Sequence, residues 1–164
     1  MRLETDRLIL RPFTQADAEI ILPHFADPDF MIWSIDGTLD AAAGLKKMNG
    51  WIACQEASGF SKYAMFEKKG HNFAGYCGLN WEDIEGSRQP ELGFRLVPTA
   101  RGRGLAREAA EAVLDDAFTR LDMPLVYAFA DKDNLPSRRL LERLGMTDLK
   151  RIISFGSTTF SSIA

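Results

Sequence analysis

Two glycines set among three arginines are the most chemically telling group in this chain: Arg101-Gly102-Arg103-Gly104-Leu105-Ala106-Arg107. Neither glycine carries a Cβ, so backbone can approach backbone or a ligand closely there. The apolar spacing that follows predicts an amphipathic helix, whose first turn leaves N–H groups unpaired at the positive end of the helix dipole. Unpaired donors, a helix start and flanking arginines are the parts of a phosphate cradle. The plain alternative is a helix start with convenient glycines. A dinucleotide fingerprint does not fit, because its third small residue would fall at Arg107 and the strands upstream read as hairpin-connected. A nucleoside-triphosphate loop fails too, since no Gly-Lys-Ser/Thr follows.

Other reactive residue types are sparse. His24 and His71 share no ligand spacing with Cys54 or Cys77, so no metal site is expected. Two buried thiols are expected rather than a disulfide. The chain has 164 residues and a net charge of −3, which argues against nucleic acid as a partner. Basic residues nevertheless gather at Arg101, Arg103 and Arg107, and again at Arg138, Arg139 and Arg143. That distribution suits a local anion site in an acidic protein. No apolar signal core opens the chain and no apolar run approaches membrane-spanning length, so a cytoplasmic location is the expectation.

These residues need elements to position them. Arg7 to Phe13 alternates as a first strand. Thr14 with Asp17 forms a capping pattern for a helix to about Ala26, and Asp27-Pro28-Asp29 is expected to break it. Thr38 to Ala57 reads as a second helix, with Leu45, Met48, Trp51 and Ile52 inward. Ser61 to Lys68 and Asn72 to Trp81 form a hairpin, and Glu82 to Gln89 is polar and turn-rich. Glu91 to Val97 is the next strand, stopped by Pro98. After the glycine turn a helix runs to about Leu121, then a strand from Leu125 to Ala130. A last helix from Asn134 to Leu144 ends at Gly145, and two weak strands follow. The order is β-αα-βββ-α-β-α-ββ, an α+β arrangement in a single domain over residues 1–164.

Arg101-x-x-Gly104-x-Ala106 satisfies the Arg/Gln-x-x-Gly-x-Gly/Ala signature of the GNAT superfamily of acetyl-CoA-dependent N-acetyltransferases. The chain resembles the RimJ/RimL-like branch nearly end to end. The resemblance is carried by Thr5-Asp6-Arg7-Leu8-Ile9-Leu10-Arg11-Pro12, Gly75-Tyr76-Cys77-Gly78-Leu79, Glu91-Leu92-Gly93-Phe94-Arg95-Leu96-Val97-Pro98, and Asn134-x-x-Ser137 with Leu144-Gly145-Met146. Two positions depart. Arg101 stands where that branch usually has an aromatic, and Leu141 stands where many superfamily members carry a tyrosine proposed as general acid.

The resemblance implies a GNAT fold: a mixed, mostly antiparallel sheet with helices on both faces. It implies acetyl-CoA as co-substrate, no metal, and direct transfer to a primary amine, either a protein N-terminus or a small molecule. A homodimer is expected by analogy, with neither nucleic acid nor membrane as partner. Residues Gly102, Arg103, Gly104, Leu105, Ala106 and Arg107, with Arg101 before them, would wrap the pyrophosphate, mostly through backbone N–H groups. Arg103 and Arg107 are equally readable as a solvated helix face. Phe94, Arg95 and Leu96 would lend backbone groups to the pantetheine arm and an N–H to the thioester oxygen.

Asn134 would be helix cap and coenzyme ligand together. Ser137 would sit near the sulfur, and Glu91 would be the base. The bland reading of Glu91 is a salt bridge to Arg95 or Arg88. Trp33, Trp51 and Trp81 would be core or acceptor-pocket wall. An α-amine, titrating at about pH 7.7–8.0, is about a tenth free at pH 7. A lysine is free only to a few parts in ten thousand, a difference of about 3–4 kcal/mol that the site would have to supply. The pattern thus leans towards low-pKa amines. With the tyrosine missing, a non-catalytic acyl-CoA sensor on the same fold stays open as the alternative.

Overall fold

The computed structural model describes residues 1–84, 86–152 and 157–163. It builds one sheet from eight strands: β1 Leu3–Glu4, β2 Leu8–Pro12, β3 Lys62–Glu67, β4 Phe73–Ile84, β5 Ser87–Leu96, β6 Leu125–Asp131, β7 Thr147–Ile152 and β8 Ser157–Ile163. The spatial order is β1-β2-β3-β4-β5-β6-β8-β7. Every neighbouring pair is antiparallel except β5 with β6. Among the described residues, five α-helices complete the fold: α1 Ala18–Phe25, α2 Pro28–Met31, α3 Ala41–Ser58, α4 Leu105–Thr119 and α5 Leu135–Arg143.

The expected order holds with two additions, the short β1 and the one-turn α2. Asp27-Pro28-Asp29 does not simply break the chain. Asp27 caps α2 by accepting from the Asp29 N–H at 2.9 Å, and Pro28 occupies the first helical position, where its missing N–H costs nothing. Glu82 to Gln89 is not a loop either. β4 runs on to Ile84, β5 starts at Ser87, and Gly86, at φ +80°, helps turn the chain between them. The other signals act as expected. Thr14 and Asp17 close a capping box, with the Thr14 N–H donating to Asp17 Oδ2 at 2.7 Å, and Gly145 follows α5 at φ +81°.

Side-chain alternation along β4 assigns the faces. Tyr76 packs against Trp51 of α3, the rings tilted at 52° with centroids 4.8 Å apart. Cys77, the next residue, points the other way and pairs with Tyr63 of β3. Burial raises the Tyr63 phenol pKa, and the Asp116 carboxylate of α4 raises it further. Thus α3 and α4 cover opposite faces. The α4 stripe of Leu105, Ala109, Ala110, Val113 and Ala117 is buried to within 2% exposure and makes the floor under the strands. Truncating a fully buried leucine such as Leu105 to alanine costs about 2–5 kcal/mol. Among the described residues, no helix is long and apolar enough to cross a membrane.

Candidate active site

Strands β5 and β6 pair in parallel only at Glu91↔Tyr127 and Leu92↔Ala128. Beyond that point they part. Gly93 to Leu96 on one side and Phe129 to Asp131 on the other line a cleft of about 1600 Å³. A sheet that opens mid-strand leaves backbone N–H and C=O groups without a ladder partner, ready for a ligand that runs between the strands.

The glycine turn stands at one end of this cleft. Gly102 and Gly104 adopt φ +72° and +79°, the left-handed region that side chains disfavour. The first helical hydrogen bond of α4 is donated by the Glu108 N–H to Gly104 O at 3.1 Å. No described residue accepts from the backbone N–H groups of residues 102–107. That run of open donors sits at a helix N-terminus, as an anion site needs. Glu108 in turn anchors the helix start. Its carboxylate accepts from the Thr5 hydroxyl and, at 2.8 Å, from the Arg7 N–H. Burial alone would raise the Glu108 pKa, but these bonds win and hold it below the usual range.

The arginines divide. Arg101 lines the cleft but is engaged, donating from Nε to Leu96 O at 3.3 Å and from its terminal nitrogen to Asp29 O at 2.7 Å. It pins the start of α2 to the end of β5. Arg103 turns away from the cleft into a two-bond pair with Glu67. Arg107 borders the cleft and pairs with Glu111 one turn on. Arg95 lines the cleft while donating to Phe30 O at 3.1 Å. Leu105 is fully buried, so only its backbone can meet a ligand. Ala106 borders the cleft, as do Phe94 and Leu96.

Across the cleft, Asn134 caps α5 by accepting from the Ser137 N–H at 3.2 Å, and both residues line the opening. Leu141, which stands where the family pattern carries a tyrosine, is core with no exposure. Arg139 and Arg143 also border the cleft, on the same helix.

Glu91 faces the α3 side, one residue before the strands part. Its partner is Lys62, at 2.7 Å from Oε2, rather than Arg95 or Arg88. The guanidinium of Arg88 lies over Trp81 instead. Sequence reasoning missed Lys62, which lies 29 residues from Glu91 and carries no motif. Tyr76, Trp51 and Phe30 wall the same side, with Trp33 at 44% and Ile35 at 70% exposure at the mouth. Trp81 packs on Phe60 outside the cleft lining. A second carboxylate, Glu82, lines the cleft with its pKa raised by burial first and by the charge of Glu91 second. It lies opposite Gln89, two residues further from the opening than Glu91.

Both cysteines are free, Cys77 buried and Cys54 only half-buried. Burial pushes the Cys77 thiol up to about 12, so it remains protonated and unsuited to an acyl-enzyme role. No group of three metal-ligating side chains occurs among the described residues.

A family model described as an acetyltransferase (GNAT) domain matches residues 7–147. The chain belongs to the GNAT acetyltransferase family. Membership makes it an acetyltransferase, in a family that draws its acetyl group from acetyl-CoA. Curated relatives include the uncharacterized protein YkkB of Bacillus subtilis, 31% identical over 92% of this chain and 88% of YkkB. The uncharacterized N-acetyltransferase p20 of Bacillus licheniformis is 28% identical over 87% of this chain and 80% of its own. An acetyltransferase structure from Agrobacterium tumefaciens superposes with a TM-score of 0.87 at 25% identity, covering 100% of this chain and 95% of its own. Two more distant structures share the fold. The ribosomal-protein acetyltransferase RimL in complex with coenzyme A has a TM-score of 0.83 at 17% identity, over 99% and 98% of the chains. A Vibrio cholerae spermidine N-acetyltransferase with CoA and spermine has 0.79 at 18%, over 95% of each.

Proposed function

We propose that this single-domain chain moves the acetyl group of acetyl-CoA directly onto a low-pKa primary amine, such as the α-amine of a peptide or small molecule. The observation that carries this reading is the parting of β5 from β6 beside the open N–H groups of residues 102–107. A thioester with a long, amide-bearing arm and a pyrophosphate fits that shape chemically. Residues 102–107 would hold the pyrophosphate through backbone donors, Arg107 adding charge from the rim. Phe94 to Leu96 would pair with the pantetheine amides, as a strand edge does, with Asn134 opposite. Arg103 would have no part beyond its backbone, and Arg101 would act as a brace of the cleft wall.

The acceptor would enter from the α3 face, past Trp33 and Tyr76. Glu91 would take one proton from the incoming ammonium, freeing the lone pair to attack the thioester carbonyl. An N–H of the Gly93 to Leu96 stretch would stabilise the negative oxygen that forms. The C–S bond then breaks and the coenzyme leaves as thiolate. Its own acidity, with a thiol pKa of about 8.5, makes a strong acid unnecessary. Ser137 would donate a hydrogen bond to the departing sulfur. The second amine proton is released as the amide forms.

RimL and the spermidine enzyme share this fold yet carry names with different acceptors, so the fold does not choose between them. The chemistry of the site leans to the α-amine, because the proposed base, Glu91, is already engaged by the Lys62 ammonium. Thermal stabilisation by coenzyme A, with none by NAD or ATP, is the expected binding result. Thiol release from acetyl-CoA is then measured over a panel of amines, amino-acid amides and peptides. Turnover favouring α-amines supports the proposal. Tight coenzyme binding without turnover on any acceptor would replace it with a binding module.

A further inference from the structure

Lys62 is one of few charged side chains this chain buries, at 6% exposure. Its ammonium has three hydrogen-bond acceptors: Gly78 O at 3.0 Å, Glu91 O at 3.2 Å and Glu91 Oε2 at 2.7 Å. Three donors meeting three acceptors is full satisfaction for a lysine. The space for this arrangement comes from a missing side chain. A Cβ at Gly93 would lie 2.6 Å from Lys62 Nζ and 3.1 and 3.2 Å from the two Glu91 carboxylate oxygens. Gly93 has no left-handed φ, so its lack of a side chain serves the ion pair rather than a turn.

We infer that Lys62 is the positioning residue of this site: it fixes the Glu91 carboxylate beside the cleft, in the space that Gly93 leaves. The inference rests on the reading of Glu91 as the base. A carboxylate buried in a protein wall without a counter-charge tends to protonate, and a protonated acid removes no proton from an ammonium. Lys62 supplies that counter-charge at a fixed position, 2.7 Å from Glu91 Oε2. It uses one carboxylate oxygen, Oε2, and no described residue donates to the other.

The other titratable and charged groups around Glu91 do not supply this charge. Tyr127 of β6 is its parallel neighbour, and Glu82 of β4 is a like charge. Tyr76 and Cys77 of β4 are held neutral with raised pKa values, by burial first. Arg95, four residues on along β5, is directed to Phe30 and Met31. Among the described residues, Lys62 is the cation bonded to this carboxylate.

The test reads the Glu91 carboxyl directly, by 13C NMR titration of side-chain carboxyls, with Glu91→Gln to assign the signal. The midpoint should rise in Lys62→Met by about 1–3 pH units, the span an adjacent opposite charge produces. Gly93→Ala, which forces the pair apart, should shift it in the same direction. If Lys62→Met does not fold, Lys62→Gln is read in its place. A parallel measurement follows thiol release from acetyl-CoA with alanine amide as acceptor. The acid limb of kcat should move up with the NMR midpoint. An unchanged Glu91 midpoint in the lysine variant, with Glu91→Gln inactive, overturns this inference alone. Full turnover by Glu91→Gln overturns the base reading and this inference together.

Discussion

The two halves of the cleft are built from different materials. The half proposed for the coenzyme is backbone: a turn held by Gly102 and Gly104 at positive φ, open N–H groups through residue 107, and a strand edge left without a partner after Leu92. The half proposed for the acceptor is side chains carried in from separate elements: Lys62 from β3, Tyr76 and Glu82 from β4, Glu91 from β5, Trp51 from α3. Backbone donors do not change with most substitutions, so the first half can stay constant while the second is rewritten. The division also means each half should fail separately.

The largest expected effect falls on the acceptor half. Glu91→Gln should lower kcat by about 10²–10⁴-fold, the usual worth of a general base. Coenzyme A affinity measured by calorimetry should stay at the wild-type value. Loss of coenzyme binding in this variant would show that the halves are not independent. Next comes the reverse experiment. A Cβ at Gly102 meets no atom within 4 Å, so Gly102→Val tests backbone conformation without a clash. A β-branched residue at φ +72° carries strain of about 1–3 kcal/mol. Coenzyme A should bind about ten- to a hundredfold more weakly if that strain is relieved by losing the turn. Turnover at saturating acetyl-CoA should recover much of the wild-type rate.

The same division explains what could be read from the sequence. Glycine spacing is local, and a helix start after it is a matter of pattern, so the glycine turn and the element order were legible. Asn134 with Pro136 announced the α5 cap for the same reason. Lys62–Glu91 was not legible, because a strand register decides which residues meet across Gly78 and Gly93. The Glu91 partner was sought among nearby arginines, whereas the sheet delivers a lysine from two strands away. The hairpin end at Glu82 to Gln89 misled for another reason. Its residues are polar since that end projects from the core, and polarity there mimics a loop. Pro28 was read as a stop signal, yet a proline after a capping aspartate also starts helices.

A smaller effect should separate two arginines that the sequence treats alike. Arg107 borders the cleft, while Arg103 is committed to Glu67 outside it. Arg107→Ala should weaken coenzyme A binding by about three- to tenfold at low salt and less at high salt, since exposed charges are screened. Arg103→Ala should change it by less than about twofold, as expected of an exposed pair. Equal losses in the two variants would mean that Arg103 leaves Glu67 to reach the ligand.

The smallest effect is a pH dependence confined to the acceptor side. His24 of α1 lies between Phe30 and Phe73, with ring centroids 5.3 and 5.4 Å away. Burial depresses its pKa below the ordinary 6.5, against a weaker upward pull from Asp27. A base with a lowered folded pKa takes up protons more readily when unfolded. Its contribution is therefore complete above the unfolded value of 6.5 and is lost as pH falls through the lower folded value. Asp17, held below the usual range by Arg11 and Thr14 against the opposing effect of burial, loses its contribution only further down, below its ordinary 3.8. The wild-type melting temperature should accordingly decline as pH falls below about 6.5, before the carboxylate limb begins. His24→Phe keeps an aromatic ring between the two phenylalanines and removes the titration, so its curve should be flat over that interval. Phe30 lines the side of the cleft proposed for the acceptor. Coenzyme A should therefore stabilise both proteins equally at either pH, and a stabilisation that falls with His24 protonation would tie the two halves together.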